Sequence, residues 1–98
     1  MPLKPRKTKF RSKRNIRKDL VEQTGDENLL FADGFDEAII GYFDDTEPFR
    51  VCYDKQKIVE ILMKRSKMSY DEANEYAHFN IYGAHVGERT PIYIGTIE

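Results

Sequence analysis

Apolar and polar positions alternate with two different periods along this chain, and the clearest change of period falls within residues 68–97, MSYDEANEYAHFNIYGAHVGERTPIYIGTI. Ser69 followed three residues later by Glu72 spells a capping box, in which each side chain satisfies the other's free backbone N–H. The spacing predicts a helix beginning at Tyr70. At about 100° per residue, Tyr70, Ala73, Tyr76, Ala77 and Ile81 share a packing face, while Asp71, Glu75, His78 and Tyr82 face water. Gly83 stands where a left-handed residue would stop the helix, and Gly87 with Pro91 frames the connection to a strand over residues 92–97. Asn80 falls inside the apolar stripe. It is expected to be buried, its amide satisfied by backbone groups of a neighbouring loop; ligand binding is the sharper alternative.

Upstream the period is two. Residues 37–43 (EAIIGYF) and 49–53 (FRVCY) are β-rich and flank the polar loop 44–48, which predicts an antiparallel hairpin. In the second segment Phe49, Val51 and Tyr53 point one way and Arg50 and Cys52 the other, so Cys52 reads as a small half-buried strand residue rather than a reactive thiol. Asp54 then caps a helix over Lys55–Ser66 whose Ile58, Val59, Ile61, Leu62 and Met63 oppose Lys57, Glu60 and Lys64. The short link at residues 66–68 closes an αα-hairpin. The expected fold is α+β: a three-stranded antiparallel sheet packed on an αα-hairpin in the order β-β-α-α-β, the last strand lying beside residues 38–43. Residues 36–98 form this domain. Residues 19–35 lead into it, with a TGDEN loop, a turn at Asp33-Gly34, and Leu29, Leu30 and Phe31 tucked against the core.

Ninety-eight residues with 40% apolar content make one small core. A homo-oligomer is one way for so small a domain to bury more surface. The single cysteine excludes an internal disulfide and a CxxC metal cluster, in keeping with a reducing compartment. No run approaches the roughly 20 apolar residues of a membrane span, and mean hydropathy is −0.67. A soluble, cytoplasmic protein without a membrane partner is expected.

Charge changes the picture more than composition does. Residues 1–18 hold nine of the 16 Lys and Arg and none of the 17 Asp and Glu, which leaves residues 19–98 seven against 17, a net of −10. With few apolar residues and with Pro2 and Pro5, residues 1–18 read as a disordered basic arm. Arg6, Lys7, Lys9, Arg11, Lys13, Arg14, Arg17 and Lys18, with Phe10 available to stack on a base, are the candidate contacts to RNA or DNA.

Candidate chemistry is sparse. Glu75-x-x-His78, with Asp71 a turn earlier, His85 beyond and Glu60 on the first helix, has spacing that suits a metal, but an exposed helix face reads the same way. His85 and Glu88 lack an accompanying nucleophile, and there is no Walker loop, GxGxxG or GxSxG. No catalytic set, metal or cofactor is expected. In residues 87–91 (GERTP) Arg89 is a candidate bidentate donor for a carboxylate or phosphate.

ADGFDEAIIG at 32–41, VCYD at 51–54, KIVEILMKR at 57–65, MSYDEANEY at 68–76 and FNIYGAHVGERTP at 79–91 together resemble a group of small bacteriophage-encoded proteins with no established activity. The likeness covers most of residues 32–94 and stops short of the basic arm. It implies a phage accessory protein acting in the cytoplasm of a bacterial host, and carries over no catalytic residue. The functional expectation is a non-enzymatic module that binds, and inhibits, a host protein such as a defence or nucleic-acid-handling factor. Asp44, Asp45 and Glu47 on the hairpin loop and Glu88 and Arg89 on the later loop are the candidate contacts. The alternative is nucleic-acid association through the arm.

Overall fold

In the computed structural model, which describes residues 15–97, Asn15 caps a helix that the pattern did not announce. This helix, α1 (Ile16–Thr24), starts with the Asn15 side chain accepting from the Lys18 amide and ends at Gly25, whose φ of 76° lets its N–H reach the Val21 carbonyl. Arg17 lies in its first turn, donating from Nε to Asp36 at 3.0 Å and from Nη2 to Asp33 at 3.1 Å, with its guanidinium 4.8 Å from the centre of the Phe31 ring. Residues 15–18 therefore belong to the folded body, a correction to the predicted arm; residues 1–14 lie outside the described part of the chain.

The hairpin forms as predicted. After a 3₁₀ turn at Asp36–Ala38, β1 (Ile39–Phe43) pairs antiparallel with β2 (Arg50–Asp54), with a register shift between Ile39 and Gly41. Asp54 ends β2 and caps α2 (Lys55–Ser66), its carboxylate accepting from the Gln56 amide at 2.9 Å. Lys67, in the left-handed conformation, turns the chain into α3 (Tyr70–Ala77), where Ser69 and Glu72 form both bonds of the capping box. Such a cap contributes about 1 kcal/mol.

The sheet is mixed rather than antiparallel, because β3 (Ile92–Ile94) runs parallel to β2 and the strand order is β1-β2-β3. Two contacts give the reason. Tyr82, past the end of α3, donates its hydroxyl to the Lys55 carbonyl, where β2 finishes. Arg50, where β2 starts, donates from Nε to the Thr90 carbonyl at 2.6 Å. The connection from residue 83 to residue 91 thus carries the chain back along the whole strand before β3 begins, and the new strand must follow the direction of β2. The centre of the sheet is consequently β2, with Val51 and Tyr53 fully buried and Cys52 only 6% exposed. The more apolar β1 is an edge, leaving Ile40 and Phe43 in contact with water. Pairing stops at Ile94 opposite Asp54, so the predicted strand 92–97 is cut to three residues.

Beyond Ala77 the helix wheel holds for His78, which is exposed, and Ile81, which is buried, but fails for Asn80 and Tyr82, because His78–Tyr82 is a π turn. An i→i+5 turn takes one residue more than an α turn, so positions after it rotate by about 100° from the extrapolated face. Asn80, expected in the core, is exposed and donates from Nδ2 to the Tyr76 carbonyl at 3.1 Å. Tyr82, expected in water, turns inward against Tyr93, with ring centres 5.2 Å apart. Gly83 has φ −87° and is not a left-handed stop. Tyr70 and Tyr76 are also exposed: α3 packs against α2 through the small Ala73 and Ala77, which leaves the aromatic rings at the flanks. Met63 likewise drops out of the buried stripe of α2.

One core joins Leu20 of α1, Leu29 and Phe35 of the lead-in, Val51 and Tyr53 of β2, the inner faces of α2 and α3, and Ile81. No helix among the described residues is long and apolar enough to cross a membrane.

Candidate partner-binding surface

Asp44, Asp45 and Glu47 occupy the tip between β1 and β2, all exposed, where Thr46 donates its hydroxyl to the Pro48 carbonyl at 3.1 Å. No ion pair among the described residues reaches these three carboxylates. They form a concentrated negative tip on a short tether.

The second predicted loop is shaped by Gly87 and Thr90. Gly87 has φ 99°, a conformation that side chains other than glycine rarely adopt. The nearly buried Thr90 hydroxyl donates to the Gly87 carbonyl at 2.6 Å and accepts from the Val86 amide at 2.9 Å. This lock aims Arg89 back at the molecule. Its Nη1 lies 2.6 Å from Oδ2 of Asp26, whose Oδ1 accepts from the Asn28 amide at 2.8 Å. The Asn28 amide, and then Arg89, hold the Asp26 carboxyl below the usual carboxylate range. Arg89 is thus spent on an internal ion pair that ties the loop after α1 to the loop before β3, whereas Glu88 is exposed.

Glu47 and Arg89 border the same cleft without forming an ion pair with each other. Together with Asp26, Asn28 and Phe49 they line a shallow cleft of about 330 Å³ between the hairpin tip and the loop after α1. Asp44 and Asp45 stand outside it. Asp26 was missed as a site residue, although the TGDEN string carried a signal: an Asp two residues before an amide it can cap forms an Asx turn.

Replacing Arg89 by alanine should move the Asp26 carboxyl part of the way back towards its ordinary value of 3.8, the Asn28 amide retaining the rest. A depressed carboxyl stabilises the fold above its unfolded value, and that contribution is lost as pH falls through the folded one. The variant should therefore lose acid resistance less steeply below pH 3.8, with an NMR titration of the Asp26 side chain as the check.

The remaining candidates are scattered. Glu75 and His78 are exposed, the His78 ring standing edge-on to Tyr82 at 5.1 Å, and no group of three or more His, Cys, Asp or Glu among the described residues is arranged to hold a metal. Burial pushes the Cys52 thiol up, away from the reactive thiolate. No buried side-chain nitrogen or oxygen among the described residues lacks a hydrogen-bond partner. Of the candidate nucleic-acid contacts, Arg17 is paired with Asp36 and Asp33 and Lys18 is exposed on α1; Arg6, Lys7, Lys9, Phe10, Arg11, Lys13 and Arg14 lie outside the described residues. Ser69 and Glu72 serve as the helix cap expected of them. No family model, curated protein or solved structure matches the chain, so its own geometry is the ground for a functional reading.

Proposed function

We propose that this protein is a non-enzymatic binding module that attaches to another protein through carboxylates. The observation that carries this reading is the hairpin tip, where Asp44, Asp45 and Glu47 are exposed together with no ion pair among the described residues, on a body whose residues 15–98 hold nine Lys and Arg against 17 Asp and Glu, a net of −8. Such a tip is complementary to a cationic groove that otherwise holds phosphates. The resemblance to phage-encoded proteins makes a bacterial host protein the expected target, a defence or nucleic-acid-handling factor, with inhibition following from occupation of its groove. The test is affinity capture from bacterial lysate with the native chain and with the triple variant Asp44→Lys, Asp45→Lys, Glu47→Lys. The exposed positions leave the thermal midpoint nearly unchanged, the captured partner is lost, and short duplex DNA or RNA displaces it from the native chain. A partner retained equally by the variant overturns the reading.

A second reading, association with RNA or DNA, is favoured by the acid-free charge of residues 1–18. Its test must cut after residue 14, since Asn15 caps α1 and Arg17 is part of the fold. A salt-sensitive gel shift that disappears with residues 1–14 supports it.

A further inference from the structure

The outer face of α3 combines exposed aromatic rings with carboxylates that no ion pair among the described residues neutralises. Glu72, Glu75, Tyr76 and Phe79 follow one another at steps of three, one and three, which sets them on one side of the helix. Phe79 is 80% exposed and Tyr76 43%, whereas Ala73 and Ala77 on the opposite side are fully buried. Residues 68–88 contain no Lys or Arg, and among the described residues no ion pair reaches Asp71, Glu72 or Glu75. The π turn begins immediately before Phe79, and such turns recur at functional positions.

We propose that this face receives a basic amphipathic helix of a partner protein. Its apolar side would pack on Tyr76 and Phe79, and its Lys or Arg would meet Glu72 and Glu75. Charge decides the class of occupant: carboxylates flanking the rings repel the phosphates of a nucleic acid and the headgroups of an anionic membrane, while a cationic segment is drawn in. Shape decides the form, because a helix laid along a helix engages anchors at steps of three and four. This rests on the binding-module reading but uses a surface separate from the hairpin tip.

The experiment measures fluorescence anisotropy of a labelled Lys/Leu peptide of about 18 residues, long enough to form a helix on binding, against a peptide of the same composition in shuffled order. The full-length protein should bind the patterned peptide at least about tenfold more tightly than the shuffled one, and Phe79→Ser should weaken it by about tenfold, as loss of an aromatic anchor does. Glu75→Lys should also weaken it. Amide shifts in the native protein should cluster at residues 72–80, which locates the site without any variant. Equal binding of the shuffled peptide, or indifference to Phe79→Ser, overturns the proposal. So does binding that emerges only when residues 1–14 are removed, which would make them the occupant, or a dimer dissolved by Phe79→Ser, which would make a second copy the occupant. Partner capture abolished by the hairpin triple variant, with no patterned peptide bound, would sink this inference and leave the module reading standing.

Discussion

Tyr53→Ala is expected to unfold the domain. The ring is fully buried in the central strand, tilts against Tyr93 at 5.5 Å, and its hydroxyl accepts the Ala32 amide at 2.7 Å, so one side chain holds the lead-in segment, β2 and β3 together. Deleting a buried aromatic ring costs roughly 3 to 5 kcal/mol. That approaches the whole stability of a small domain, about 5 to 15 kcal/mol. Urea denaturation should show a folded baseline lost or a midpoint close to zero denaturant. Tyr53→Phe separates ring from hydroxyl: packing is kept, the Ala32 amide loses its acceptor, and the loss should be about 1 kcal/mol. Burial also pushes the Tyr53 phenol from 10.0 up to about 12. The folded state then keeps a proton that the unfolded chain releases, so the contribution is fully present below pH 10 and is lost as pH rises towards about 12. Tyr53→Phe should remove that part of the alkaline destabilisation, seen as a flatter profile of stability against pH.

Leu20→Ala should cost roughly 2 to 5 kcal/mol, because Leu20 is a well-packed core residue. It is also the one buried residue of α1, a helix of nine residues. Isolated helices shorter than about 12 to 15 residues are marginal in water, so α1 depends on this docking. Hydrogen exchange should reveal the consequence: amides across Ile16–Thr24 lose protection together, and Arg17 parts from Asp36 and Asp33. Equal protection in native and variant protein would mean that α1 is held by its ion pairs alone.

Both expectations fall on contacts that local pattern could not supply. Arg17 reads as one more cation in a basic run, and nothing in its neighbours distinguishes it from Arg14; its pairing with Asp36, 19 residues away, exists only once Leu20 has docked. The ends of α1 were nevertheless written in the chain, as Asn15 and Gly25, and the composition of the arm concealed them. Arg89 shows the same limit at the candidate site. Its turn could be read from Gly87 and Thr90, but its partner Asp26 lies 63 residues distant, and that pairing decides whether the guanidinium is offered outward or consumed within. The carboxylates of the hairpin tip were legible because exposure in a polar loop follows from the loop itself.

What this sequence determined by itself was everything that rests on neighbours within a few positions: the capping box at Ser69, the cap at Asp54 with its twelve-residue helix, the hairpin, and the charged tip. Each depends on hydrogen bonds and side-chain periods that close locally. Tertiary structure alone decided the direction of β3, the central place of β2 and the packing of Tyr82, rather than Asn80, against the core. Strand direction was set by how far residues 83–91 had to travel, and a single extra residue in a π turn exchanged Asn80 for Tyr82 at the core. The physical reason is that packing satisfies whole surfaces at once, so the lowest free energy can override the phase that a local period would continue.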